Sequence, residues 1–175
     1  MHLARTRSLF FLAFIASSLI IGAAIYIQQA FGLSPCMLCL FQRAVIIGCA
    51  VLCLMATLHA PQEAGWRRYC WALLALAWLG GAGAGAQVWL QTASADELVP
   101  VMARYEYALN ALSLDAWVNR LRGDAYLCAE INWSLFGITL PEWSLLAFVC
   151  LGLLALYPLF SELHRWLSVE GGGGY

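Results

Sequence analysis

The stretch GLSPCMLCLFQRAVIIGCAVLCLM, residues 32–55, is the most informative part of the sequence for the fold, because it joins a Cys-X-X-Cys pair to a long apolar run. Cys36 and Cys39 stand where the run begins, and Arg43 follows one helical turn later inside it. A bilayer is crossed by a helix of about 20 mostly apolar residues, and this run is long enough. The stretch therefore predicts a membrane helix that carries two thiols and a cation near one end.

Three further segments have similar length and apolar character, in a chain of 175 residues that is 63% hydrophobic and 11% charged. This apolar excess is typical of a membrane protein. In lipid the spanning segments must be helical, because their backbone groups have no water to bond. The predicted fold class is an all-α integral membrane protein, an antiparallel four-helix bundle forming a single domain over 1–175. The predicted helices are 8–27, 40–58, 69–90 and 143–160.

The first helix follows Arg5 and Arg7, as a secretory signal would. Its apolar stretch exceeds the about 7–15 residues of a signal h-region, so we interpret it as a retained helix. Short connections rich in arginine stay cytoplasmic, which predicts that both termini are cytoplasmic. The cysteine-bearing loops then face the outside, which in a bacterium is the periplasm, a compartment where disulfides persist. The arginines that support this orientation are Arg5, Arg7, Arg67, Arg68 and Arg165.

The long outer loop, 91–142, is predicted to carry a short interfacial helix. In its segment LSLDAWVNRL (112–121), Ser113 is a plausible N-cap, and a helix that starts after it places apolar side chains on one face. Such a helix either lies flat on the membrane surface or covers the outer end of the bundle, and the two are compatible. The residues of that face are Leu114, Trp117, Val118 and Leu121. The last residues, 170–175, are interpreted as a flexible tail.

The Cys-X-X-Cys pair is interpreted as redox-active. Pro35 precedes Cys36, as is common at a helix entrance, and a helix N-terminus lowers the pKa of a thiol. The alternatives are a zinc site and an inert structural disulfide. Zinc needs four ligands, and no second such pair occurs outside the predicted membrane segments, so no metal site is predicted. A disulfide across four residues would stabilise little.

Arg43 shares a helical face with both thiols, because positions 36, 39 and 43 follow the spacing i, i+3, i+7. It lies about 6 Å deeper than Cys39. An arginine in the membrane costs at least about 2.5–3.5 kcal/mol on insertion scales, which marks it as a candidate functional residue. The alternative is that its side chain extends to the lipid headgroups.

The third predicted helix returns to this depth and ends in AQVWLQ, with Gln87 and Gln91 one turn apart. Their amides can bind a ligand head, or each other and water. Earlier in the same helix, GGAGAGA (80–86) either admits a neighbouring helix closely or leaves a groove for a flat ligand, and we favour packing.

The other cysteines divide into two kinds. Cys128 lies in the outer loop, where no partner cysteine is evident. The remaining four lie in or at apolar helices, where a thiol behaves as a small hydrophobe, and no chemistry is assigned to them. They are Cys49, Cys53, Cys70 and Cys150.

Taken together, the blocks PCMLCLFQR, VWLQ and CAEINWSLFGITLPEW resemble the DsbB family over nearly the whole chain. Members of this family reoxidise the periplasmic thiol oxidase DsbA and pass the electrons to membrane quinone, ubiquinone or menaquinone. The resemblance implies that Cys36 and Cys39 deliver electrons to the quinone. It also implies that Arg43 contacts the quinone ring, with Gln91 beside it. Gln87 falls where some members have histidine, so it is kept as a quinone-binding candidate on its position alone.

Cys128 matches the second cysteine of the family's outer-loop pair, which takes electrons from DsbA. The first cysteine is missing, since none occurs between Cys70 and Cys128, and its place falls around 101–103. Either the residue was replaced deliberately, which we favour because the other blocks are intact, or the chain is a divergent natural member. We expect Cys128 to pair with Cys36 and leave Cys39 as a thiolate.

Three other interpretations stay open at this point, and one of them is a purely structural bundle without redox chemistry. A quinone-linked enzyme resembling vitamin K epoxide reductase also combines a helical bundle with Cys-X-X-Cys, but there the motif lies late in the core. A membrane protein that handles copper or heme through its thiols would not be an enzyme, and soft thiolates do select copper(I).

Overall fold

A computed structural model describes residues 2–32, 36–59, 63–111, 128 and 134–171. Within these ranges the helices are α1 (His2–Phe31), α2 (Met37–His59), α3 (Glu63–Thr92), α4 (Ala95–Ala111) and α5 (Leu140–Gly171). Strands β1 (Ser134–Leu135) and β2 (Ile138–Thr139) form one short antiparallel hairpin just before α5.

Among the described residues, four helices are long and apolar enough to cross a membrane, which confirms the predicted all-α membrane bundle. Large apolar side chains point outward along them, and Trp78 on α3 is 77% exposed. Such surfaces suit lipid, because a water-soluble protein rarely exposes large contiguous apolar patches. The spans are Arg7–Phe31, Met37–His59, Gly65–Thr92 and Leu140–Ser161.

The helices pack in chain order, α1 on α2, α2 on α3 and α3 on α5, whereas α1 and α5 touch only over a short stretch. Arg7 near the start of α1 donates from Nε to the carbonyl oxygen of Thr57 near the end of α2, at 3.0 Å. Neighbouring helices are therefore antiparallel. Cys36 and the end of α3 lie at the opposite end of the bundle.

The closest approach of α3 and α5 depends on Gly80. A Cβ atom at this position would lie 2.2 Å from Cε1 of Phe148, whose side chain is fully buried. Gly83 similarly leaves room for Phe41, whose ring would be 3.1 Å from an added Cβ. The glycine-rich segment therefore serves helix packing at these two positions, as small residues commonly do between membrane helices.

The described helices extend beyond their predicted limits, and α5 shows the physical reason. Thr139 stands just before the helix, and its backbone N–H donates to Oε2 of Glu142 at 2.6 Å. This is the glutamate half of a capping box, which satisfies a backbone donor that the helix leaves unpaired. The cap starts α5 at Leu140, three residues before the predicted start at 143.

The outer loop contains more regular structure than predicted. Helix α4 begins after Ser94, whose backbone N–H donates to Oε2 of Glu97 at 3.3 Å in a second cap of the same kind. The hairpin turns at Phe136 and Gly137, both with positive φ, the backbone that a two-residue type I′ turn requires. The predicted interfacial helix at 114–121 lies outside the described residues, as do 172–175.

Candidate functional site

Cys36 and Cys39 meet where α2 begins. Cys36 directly precedes the helix and is 3% exposed, and its carbonyl accepts from the backbone N–H of Leu40 at 3.0 Å. This bond closes the first helical turn and brings Cys39 back over Cys36. The two Sγ atoms are 3.3 Å apart, as two thiols in contact, against about 2.05 Å for a disulfide.

Cys128 is the third sulfur of this cluster, which we call the thiol cluster (Cys36, Cys39 and Cys128). It is 2% exposed and hydrogen-bonds with Cys36, although 92 residues separate them in the chain (128 − 36). Cys36 thus touches both other thiols and is the sulfur through which the cluster is connected.

The helix-terminus argument for Cys36 was wrong in direction. The hydrogen bond with Cys128 raises the pKa of Cys36 above its ordinary value, and burial raises it further. The hydrogen bond with Cys39 acts in the opposite sense and is outweighed. A buried thiol with a second thiol as its partner favours the neutral form, and this outweighs the backbone N–H of Cys39 at the helix end, which lowers the pKa of Cys36.

Gln87 on α3 lies against the thiol cluster. Its Nε2 is 3.3 Å from Sγ of Cys39 and 3.5 Å from Sγ of Cys36. Its Oε1 lies 3.6 Å from the Cys39 sulfur. The sequence pointed to Gln87 as a quinone ligand, and the structure brings it to the sulfurs. Gln91 lies one turn further along α3 and is half-buried.

Arg43 is half-buried, and its described hydrogen bonds lead to α1 rather than to the sulfurs. Nη1 donates to Oε1 of Gln28, and Nη2 donates to the carbonyl oxygen of Ala24 at 3.4 Å. Sequence reasoning placed Gln28 in a loop and gave it no role. Its signal was an amide at the end of an apolar segment, close to the depth expected for Arg43.

Sequence reasoning also missed Gln42. This side chain is 3% exposed, and its Nε2 donates to Oε1 of Gln87 at 2.8 Å. The available signal was an amide next to Arg43 and three residues after Cys39, inside an apolar run. That spacing places Gln42 near Cys39 on the surface of α2.

A cavity of about 640 Å³ opens between α1 and α5, where these helices separate. Its walls are almost entirely apolar and run from Leu12 to Ile27 on α1 and from Leu140 to Leu154 on α5. Ala24, whose carbonyl accepts from Arg43, is one of the lining residues. The arginine therefore lies beside the cavity wall.

Contacting thiols at the end of a membrane bundle are typical of a membrane-embedded thiol–disulfide oxidoreductase. The family model described as disulfide bond formation protein DsbB matches residues 6–158. The chain belongs to the DsbB family and is a multi-pass membrane disulfide oxidoreductase.

Individual relatives agree with this assignment. Disulfide bond formation protein B 2 of Pseudomonas syringae pv. syringae is 62% identical over 175 residues, which is 100% of both chains. Disulfide bond formation protein B of Stutzerimonas stutzeri is 38% identical over 159 residues, 91% of this chain and 98% of the relative. Disulfide bond formation protein B 1 of Pseudomonas aeruginosa is 40% identical over 149 residues, 85% and 91% respectively.

Proposed function

We propose that this protein forms disulfides by reoxidising a DsbA-like periplasmic thiol oxidase and passing the electrons to membrane quinone, ubiquinone or menaquinone. The observation that carries the proposal is the contact of three thiols at the end of the bundle that also holds Arg43 and the apolar cavity. The two reactants of such an enzyme live in different solvents. A protein dithiol is in water and a quinone is in lipid, so the redox pair belongs at their boundary.

The thiol half of the reaction is disulfide exchange at Cys36. A thiolate of the partner attacks Cys36 in an oxidised Cys36–Cys39 pair, a mixed disulfide forms, and the electron pair of the broken bond goes to Cys39. The second thiol of the partner then attacks the mixed disulfide and releases Cys36. The partner has lost two electrons, and Cys36 and Cys39 have gained them.

Cys128 supplies a second exchange partner for Cys36. When Cys128 attacks Cys36, the Cys36–Cys128 bond forms, the Cys36–Cys39 bond breaks, and Cys39 leaves as a thiolate. The hydrogen bond between Cys36 and Cys128 supports this exchange because it holds the two sulfurs together before any bond forms. Peptide mapping after alkylation without reductant should recover the Cys36–Cys128 bond. Recovery of Cys128 only as a free thiol, with Cys36 always bonded to Cys39, would refute it.

The cavity between α1 and α5 fits a quinone. Its apolar walls suit a ring with an isoprenoid tail. A bound quinone accepts two electrons and two protons. Arg43 would hold a carbonyl oxygen of the ring, and Gln28 would orient the guanidinium. Gln91 remains a candidate for the same head group.

The proposed orientation places the thiol cluster on the periplasmic side of the bacterial inner membrane and both termini in the cytoplasm. It is supported by the exposed Arg67 and Arg68 at the start of α3 and by Arg7 on α1, at the end of the bundle opposite the thiol cluster. The periplasm is kept oxidising by a route of this kind, which agrees with the proposed direction of electron flow.

The test is anaerobic quinone reduction in detergent, with a reduced DsbA-like oxidase as electron donor. The chain would be compared with Val101→Cys and Met102→Cys, which restore a cysteine where the family has one. Val99→Cys is the matched control, because Val99 lies on the same helix and is 68% exposed. Val101 is 41% exposed, so a cysteine there is accessible.

Turnover by the chain as it stands would mean that the thiol cluster accepts electrons without a second loop cysteine. Turnover only in the Val101→Cys or Met102→Cys variants would mean that this chain is an interrupted relay. No turnover in any of them would refute the proposal. Metal analysis of the same preparations would then test the copper or heme alternative.

A further inference from the structure

Gln42 and Gln87 form a buried amide pair next to the thiol cluster. Each is 3% exposed, and among the described residues the only other buried polar side chain is Ser17. A buried amide costs free energy unless its hydrogen bonds are made, and here the two amides meet at 2.8 Å. Two glutamines inside an apolar membrane bundle therefore depend on each other and on the sulfurs beside them.

The bond between the amides sets the orientation of Gln87. A side-chain amide has one oxygen acceptor and one NH2 donor. Because Oε1 of Gln87 accepts from Gln42, its Nε2 is the amide atom nearer to the Cys39 sulfur, at 3.3 Å against 3.6 Å for Oε1, and Nε2 also lies 3.5 Å from Sγ of Cys36. Turning the amide by half a rotation would place two NH2 groups against each other and leave the sulfurs facing an oxygen.

An NH2 group at this position can donate a hydrogen bond to the sulfur of Cys39. When Cys36 is bonded to another sulfur, the leaving Cys39 carries the negative charge, and the nearest described donor to it is Gln87. The described hydrogen bonds of Arg43 lead to Gln28 and Ala24 instead. A hydrogen bond to an ionised group is stronger than one between neutral groups.

We propose that Gln42 is a positioning residue for the redox pair: it holds the amide of Gln87 so that the NH2 group stabilises the Cys39 thiolate. Disulfide exchange is faster when the leaving thiolate is more stable, so the amide pair promotes release of Cys39 from Cys36. Being neutral, the pair stabilises the thiolate without a buried charge. The inference rests on the proposed role of Cys36 and Cys39 but concerns residues that this role does not include.

The experiment measures alkylation of Cys39 by iodoacetamide between pH 6 and 10, read by peptide mass spectrometry. All proteins carry Cys36→Ser, so that Cys39 cannot be oxidised by its neighbour. Gln42→Met and Gln87→Met replace each amide by an apolar side chain of similar length. Thr57→Val is the matched control, because it removes the Thr57–Cys53 hydrogen bond at the other end of the same helix.

We expect Gln42→Met to slow alkylation at pH 7 about tenfold or more, the loss of one hydrogen bond to an ion, while the limiting rate at high pH is unchanged. A change of packing or accessibility would alter the limiting rate as well. Gln87→Met should have at least the same effect, and the double variant should add nothing further to it. Such non-additivity is the signature of two residues that act as one unit.

Two results would overturn the inference. One is an unchanged pH 7 rate in Gln42→Met, or a loss equal to that of Thr57→Val. The other is full additivity of the two glutamine variants, which would mean that Gln42 does not act through Gln87. Gln42→Leu repeats the test if the Met variant does not fold. Neither readout needs quinone or a partner protein, so failure here is distinct from failure of the proposed function.

Discussion

The same residue type has two different surroundings in this bundle. Cys49 and Cys53 on α2 are completely buried in the hydrophobic core, in a cluster with Leu73 and Phe148. Cys36 is almost as buried, at 3% exposed, but it touches two other sulfurs and an amide donor. Burial alone therefore does not distinguish the two surroundings. Nearby sulfurs alone do not either, because Cys53 has Cys49 and Cys70 close to it. The described difference is the amide donor of Gln87 at the thiol cluster, and thiol exchange needs such a donor for the departing thiolate.

The largest expected effect comes from removing sulfurs, which tests whether the thiols of the two regions differ in function. Cys36→Ser and Cys39→Ser should reduce quinone-linked thiol oxidation to background, because neither leaves the Cys36–Cys39 pair that is proposed to pass electrons to the quinone. Cys49→Ala and Cys53→Ala should retain turnover and lose about 1 kcal/mol of unfolding free energy. Turnover with reduced thiol oxidase and unfolding in detergent are measured on the same four preparations. Loss of turnover in a well-folded Cys49→Ala protein would contradict the distinction.

Arg43 is a further difference between the two regions, because only the region of the thiol cluster has this cation. Arg43→Ala should raise the apparent KM for quinone about tenfold or more, from loss of a charged hydrogen bond, with a smaller effect on the fold. Arg43→Lys should restore little, since an ammonium lacks the planar fork of a guanidinium. Arg68→Ala, an exposed arginine at the other end of the bundle, is the control. Unchanged quinone kinetics in Arg43→Ala would assign Arg43 to the membrane surface.

Glycine substitutions in α3 test how tightly the hydrophobic core is packed. Gly80→Ala should lower the unfolding free energy by about 1–3 kcal/mol, because the new methyl group meets the buried ring of Phe148. Gly85→Ala in the same helix has open space around its Cβ and should be neutral or stabilising, since alanine favours a helix. Denaturant titration of the two variants in detergent compares them directly. Equal stability of both would mean that α3 and α5 separate more easily than this contact implies.

The smallest expected effect is a shift in the pKa of Cys36. This pKa is raised first by the hydrogen bond with Cys128 and then by burial. Cys128→Ala removes that bond and part of the burial, so the pKa of Cys36 should fall. At a fixed neutral pH the thiolate fraction then rises, and the pH profile of Cys36 alkylation under reducing conditions moves to lower pH. Cys128→Ser should shift it less, because a hydroxyl keeps a hydrogen bond. A profile that moves to higher pH would contradict the assignment.

Much of the fold could be predicted because it depends on local properties. The length of the apolar runs predicts four spans, and the spacing of Cys36, Cys39 and Arg43 predicts a shared helix end. The caps at Ser94 and Thr139 are also local signals, and they explain why α4 and α5 begin where they do. The pKa of Cys36 could not be predicted in the same way, because its main cause is a thiol 92 residues away (128 − 36).

The amino-acid sequence alone was enough to predict the class of protein and its four membrane helices, and it predicts a redox pair at the membrane edge. Three features are seen only in the tertiary structure. Gln42 meets Gln87, Arg43 turns toward α1, and a cavity opens between α1 and α5. The reason is physical. A membrane helix is apolar on its lipid side and on its packed side alike, so its hydrophobic pattern does not specify how it is rotated. That rotation is settled by packing, as where Gly80 admits Phe148, and it selects which polar side chains meet.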